Sequence, residues 1–196
     1  MKNNTKIIIS ILYFFILGVT ACSSNKNIIE AKYISIYDES SYLIFEKDGS
    51  FKNSLWNVSN SGTTTIDNNF IYTINEKNII TAIDTTEYEG QDSLNEYEIG
   101  VIYKNYICVS WNGAISKDYD DMSITNTLGE DLVLTFNLKK DKTYEFVVTS
   151  NGEVTDKEKG TYSISSDEVI CTSNEGVTTT FVDIDGEVYC VEYVKE

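Results

Sequence analysis

The chain has 196 residues and a net charge of −16, with 31 acidic residues against 15 basic ones and no histidine. So acidic a surface repels phosphate backbones and anionic headgroups, which excludes nucleic acid as a partner. The missing histidine removes Ser-His-Asp triads, Cys-His pairs and histidine metal ligands, so the expectation is a non-catalytic protein without cofactor or metal. Hydrophobic residues at 41% and aromatics at 12% supply a packed core and argue against a disordered chain.

Residues 1–6 form a short positive segment, and an apolar run follows from Ile7 to Val19, broken only by Ser10 and Gly18. The run is shorter than the ~20 residues of a membrane-spanning helix and fits the apolar region of an export signal. It ends in Val19-Thr20-Ala21-Cys22. This stretch resembles the lipobox of bacterial lipoproteins: an apolar residue, two small residues, then cysteine. The resemblance implies a signal helix over 1–21 that is cut away, and acyl chains on Cys22, palmitate among them. It implies a tether over 22–29 and a body held outside the cytoplasm in the cell envelope, at the cell membrane or the outer membrane. Loss of Lys2 and Lys6 leaves thirteen lysines against 31 acids, or −18.

The rest of the chain alternates short runs rich in Ile, Val, Tyr, Phe and Thr with Asp, Asn, Gly and Ser, the pattern of strands and turns. Strands are predicted over 32–37, 42–47, 50–58, 70–75, 78–84, 96–104 and 106–111. A second set is predicted over 122–127, 131–138, 142–150, 159–164, 168–173, 176–184 and 187–194. Period-two alternation places Leu132, Leu134, Phe136 and Leu138 on one face, and likewise Tyr97, Ile99, Val101 and Tyr103. Hairpin turns are expected at Lys47-Asp48-Gly49, Asn75-Glu76-Lys77, Lys104-Asn105 and Asp185-Gly186.

The two sets parallel each other. Tyr72-Thr73-Ile74 with Asn78-Ile79-Ile80 matches Tyr162-Ser163-Ile164 with Glu168-Val169-Ile170 at an offset of 90, and Leu43-Ile44-Phe45 matches Leu134-Thr135-Phe136 at 91. An internal repeat follows as an expectation, with units over 30–113 and 114–196. The segment Leu134 to Ile170, and Gly160-Thr161-Tyr162 within it, resembles small lipocalin-like domains of bacterial lipoproteins. That resemblance implies an all-β antiparallel meander closed into one or two up-and-down barrels, with room for a small apolar ligand.

Candidate sites are few. Asp183-x-Asp185-Gly186-Glu187 looks like part of a calcium loop but lacks the remaining oxygen ligands, and a turn accounts for it. Asp118, Asp120 and Asp121 read as a solvated acidic connection. Cys108, Cys171 and Cys190 each sit in an apolar run, as buried thiols or as one disulfide with an odd cysteine. Trp56 and Trp111 lie in strand-like runs as well. If the barrel holds a cavity, Tyr97, Tyr103 and Trp111 are its expected lining. The expected function is binding of a small apolar molecule. The alternative is an interaction with an envelope protein, as an inhibitor of a secreted hydrolase or an assembly component.

Overall fold

The computed structural model describes residues 28–54, 70–86, 94–116, 118 and 120–196. The signal segment, Cys22, Trp56 and most of the tether lie outside the described residues. Fourteen strands follow one another along the described chain. The first seven are β1 (Ala31–Ser35), β2 (Tyr42–Phe45), β3 (Ser50–Asn53), β4 (Phe70–Ile74), β5 (Ile79–Asp84), β6 (Glu96–Tyr103) and β7 (Tyr106–Trp111). The second seven are β8 (Met122–Leu128), β9 (Leu132–Leu138), β10 (Thr143–Ser150), β11 (Glu153–Ser165), β12 (Glu168–Ser173), β13 (Thr178–Ile184) and β14 (Glu187–Lys195). The all-β, antiparallel expectation holds, and each predicted strand has its counterpart within a few residues. The largest difference is β11, which begins at Glu153 rather than 159, because its first half is exposed on both faces and leaves no alternation to read.

Turn chemistry sets these boundaries. The loops Asn151-Gly152 and Asp185-Gly186 place both residues at positive φ (52° and 78°, 57° and 87°), the two-residue hairpin geometry that follows strand twist. The Asp183 side chain accepts a 2.9 Å hydrogen bond from Gly186 N, so this motif is a capped turn. Asp121 accepts from Lys140 N at 2.8 Å, tying down the start of β8 in the same way.

Neighbouring strands run in order from β1 to β7, then β14, and back down to β8. Strand β7 occupies one edge of β14 along most of its length, from Val188↔Trp111 to Val194↔Tyr106. The other edge of β14 is divided. Its first half pairs with β13 (Phe181↔Cys190, Ile184↔Glu187), and its end pairs with β1 (Tyr33↔Lys195, Ser35↔Tyr193). The β1–β14 ladder closes β1–β7 and β14 into an eight-stranded antiparallel barrel, consistent with a lipocalin-like up-and-down barrel. Strands β8–β13 curl back from the same β7–β14 ladder. They meet it again through paired hydrogen bonds between Asn112 and Thr125, each 2.7 Å. The closed first barrel and a second, barrel-like curl of strands, which meets the end of β7 through that single bridge, therefore share one two-stranded spine.

Each barrel has its own core. Tyr33, Leu43, Phe45, Phe51, Tyr72, Ile80 and Ile107 pack in the first. Trp111, Ile124, Phe136, Leu138, Tyr144, Tyr162, Val169 and Phe181 pack in the second. A third cluster of Val101, Cys108, Val182, Tyr189 and Val191 joins residues of both barrels. The expected common face of Tyr97, Ile99, Val101 and Tyr103 is split, because a bulge between β5 and β6 shifts the register after Glu98. Ile99 then packs with the first core, while Val101 and Tyr103 join the third cluster.

The two seven-strand units are built alike. Glu46 N bonds Ser50 O and Tyr72 N bonds Gly49 O in the first; Lys139 N bonds Thr143 O and Tyr162 N bonds Lys142 O in the second. These contacts set an offset of 93 in the first hairpin rather than 91. They keep 90 at the tyrosines. Beyond them the pairings Tyr72↔Ala82 and Tyr162↔Cys171 set 89, since the turn before β12 is shorter than the one before β5.

Candidate functional site

The β1–β2 connection and the spine meet at the mouth of the second barrel. Residues 36–41 leave the first barrel and are ordered by Asp38, whose carboxylate accepts from Ser40 N at 2.9 Å. Ile36 N donates to Glu192 O at 2.9 Å, and Ser35 N donates to Ser41 O at 2.8 Å. The loop thereby carries Tyr37 over to the second barrel, where its hydroxyl lies 3.7 Å from Cys190 Sγ.

Glu192 sits at a bulge in the spine. The ladder passes from Val191↔Cys108 directly to Tyr193↔Ile107, so Glu192 is the extra residue on its strand. Val188 and Cys190 face the second core, while Tyr193 packs against the first. The bulge thus hands β14 from one barrel to the other.

A cavity of about 320 Å³ opens here. Its walls are Tyr37 from the loop, Trp111 from β7, Leu134 and Phe136 from β9, Phe146 from β10, Glu158 from β11, Val177 and Thr179 from the start of β13, and Cys190 and Glu192 from β14. The floor is aromatic: Phe136 stands 4.6 Å from Phe146 and 5.0 Å from Phe181, ring centre to ring centre, and Trp111 stands 5.3 Å from Phe181. Glu158 accepts from the Tyr144 hydroxyl at 2.8 Å. Trp111 is 7% exposed, and its Nε1 is buried without a hydrogen-bond partner.

Burial pushes the Glu192 carboxyl up to about 7, with the Cys190 side chain offsetting part of that rise by hydrogen bonding. Burial and the charge of Glu192 raise the Cys190 thiol; Tyr37 is 47% exposed as a residue, and the rise at its hydroxyl comes from the end that is turned in against Cys190. Burial also raises the thiols of Cys108 and Cys171, each to about 12. These three cysteines are free and buried, so each is a neutral thiol near pH 7 and not an activated nucleophile. Among the described residues no group of His, Cys, Asp and Glu has the arrangement of a metal site.

Of the aromatic residues expected at a cavity, Trp111 is in the wall. Tyr103 instead lines a depression on the outside between the barrels, with Lys104 Nζ 4.6 Å from its ring centre. Tyr97 is 42% exposed on β6, its ring 6.3 Å from Phe70. The structure does not bring the three together. The other nine lining residues, the polar Tyr37, Glu158, Cys190 and Glu192 among them, were not singled out as lining by sequence reasoning. One signal for Glu192 was present: Val188, Cys190 and Glu192 alternate along an apolar strand, which puts a carboxylate on an inward face.

Comparison with family models, with curated proteins and with solved structures finds no match to the chain. A barrel with an open, apolar-walled cavity is compatible with a binding module.

Proposed function

We propose that the chain is a lipid-anchored envelope lipoprotein whose second barrel binds a small, mainly apolar ligand without transforming it. The observation that carries the binding part is the cavity of about 320 Å³ walled by Trp111, Phe136, Phe146 and Leu134 at the mouth of that barrel. The lipobox-like Val19-Thr20-Ala21-Cys22 supports the anchoring part. Acyl chains on Cys22 hold the body at a membrane surface, each buried CH₂ contributing about 0.8 kcal/mol.

Native mass spectrometry of the protein exported by a bacterial host tests the binding part. A reproducible added mass that Phe136→Ala abolishes while the fold is retained is the expected result. A bare mass with wild-type protein, together with no uptake of small aromatic probes, overturns it and turns attention to a protein partner. Cys22→Ser tests the anchor: the protein should leave the membrane fraction, and continued anchoring sinks that part.

A further inference from the structure

We propose that the ligand of this cavity is an organic ammonium ion with an aromatic or aliphatic body, its charge held by the carboxylate of Glu192. The inference rests on the binding reading above and deepens it. Two carboxyl groups, Glu192 and Glu158, stand in a wall that is otherwise mostly apolar, and no lysine is among the lining residues described. Glu158 already accepts from Tyr144 Oη at 2.8 Å, whereas the polar group beside Glu192 on its strand is the Cys190 thiol, a weak donor whose Sγ lies 3.7 Å from Val191 O. A half-buried carboxylate with so weak a neighbouring donor is stabilised by an incoming cation. Trp111, Phe136, Phe146 and Tyr37 present rings around the same space, and aromatic faces attract ammonium groups. The unpartnered Nε1 of Trp111 adds a buried donor in the wall, which an oxygen on the ligand's body satisfies. An anionic ligand meets the opposite field.

Titratable groups surround Glu192 on every side. Cys190 and Tyr193 lie on its own strand, Cys108 on β7, Tyr37 on the β1–β2 loop and Glu158 on β11. Burial raises Glu192 to about 7, so it sets the pH dependence of cation binding. A cation needs it ionised, and binding therefore strengthens as pH rises from 6 to 8 and expels a proton near pH 7.

Three probes with the same methoxyphenyl body decide the matter: 4-methoxyphenethylamine, neutral 4-propylanisole and anionic 3-(4-methoxyphenyl)propanoate. They are titrated into the full chain in lipid nanodiscs at pH 8, with empty nanodiscs as the blank. The expected result is at least tenfold tighter binding of the amine than of the neutral probe, reduced below threefold by Glu192→Gln while neutral binding is kept. Equal affinities, or preference for the neutral or anionic probe, overturn the ammonium assignment and leave the apolar cavity standing. Binding of none of the three overturns both. A test on the unaltered chain covers the case in which the variant does not fold. Calorimetry in buffers of different ionisation enthalpy should show proton release with the amine at pH 7, and its absence overturns the assignment.

Discussion

The two barrels share a spine and a turn pattern, yet they treat one register position differently. In the first, Phe51 on β3 faces Phe70 on β4; in the second, Tyr144 on β10 faces Gly160 on β11. Phe70 packs against the first core and Tyr97. A Cβ at Gly160 would fall on the Thr172 carbonyl oxygen and within 2.6 Å of the Tyr144 ring. The glycine therefore lets β11 press against β12 at a corner and run on past it. That extension carries Glu158 to the mouth, where Tyr144 Oη holds it. The connections differ too: residues 36–41 join β1 to β2, while only residues 129–131 join β8 to β9. The longer loop of the first barrel supplies Tyr37 to the second. One framework thus carries an aromatic core packed largely edge to edge around Phe45 and, beside it, a core that opens beside Glu192.

Gly160→Ala strikes at this difference most directly. With backbone atoms in the way the strands must separate, and a cost of roughly 4 kcal/mol or more is expected. Phe70→Ala in the first barrel only trims a partly buried ring, for about 2 kcal/mol. Denaturant titrations of both variants measure the contrast; equal losses would mean that the corner is not what sets the barrels apart.

Next in size is a test of the shared spine. Phe136→Ala in the second core and Phe45→Ala in the first each remove a buried ring at the centre of an aromatic group, at about 3–4 kcal/mol. Because β7 and β14 belong to both barrels, each variant should shift one common unfolding transition. Two separate transitions by tryptophan fluorescence and circular dichroism would instead make the barrels independent folding units.

Glu192→Gln sharpens the comparison at the mouth. The folded-state carboxyl is raised from 4.5 to about 7, so its protonated form is favoured by folding. That contribution is complete below the unfolded value and is lost as pH rises through 7. The glutamine variant should match the wild type at pH 4 and exceed it by on the order of 2 kcal/mol at pH 8, after allowance for partial exposure. Melting curves across that window check it, and a constant difference between the two proteins would place Glu192 in water.

Much of the framework is legible in the chain and the site is less so, for a physical reason. Alternation in Leu132–Leu138 and turn residues such as Asp185-Gly186 are local, and they locate strands. The cavity depends on register. Whether Tyr37 reaches Cys190 is decided by how β1 pairs with the far end of β14, about 160 residues away in sequence. The bulge at Glu192 is equally invisible, since one unpaired residue leaves no mark on composition. The bulge after Glu98 had the opposite effect: it separated Tyr103 from the face that alternation assigned to it. Trp111 was legible because it is a large aromatic at the end of a strongly apolar strand, and such a side chain is buried on average.

The smallest effect concerns how the barrels touch on the outside. Lys104, in the left-handed turn between β6 and β7, reaches Glu168 at the start of β12 with Nζ to Oε1 at 2.7 Å. The Glu168 hydrogen bond raises the lysine, and the Tyr103 ring lies beneath it. The lysine side chain is nonetheless 58% exposed, so water and salt screen the pair. Lys104→Met keeps the apolar stem against Tyr103 and removes only the charge. Its expected cost is small and vanishes in about 1 M salt. A loss several times larger, unaffected by salt, would mean that this ion pair and not the shared spine fixes one barrel against the other.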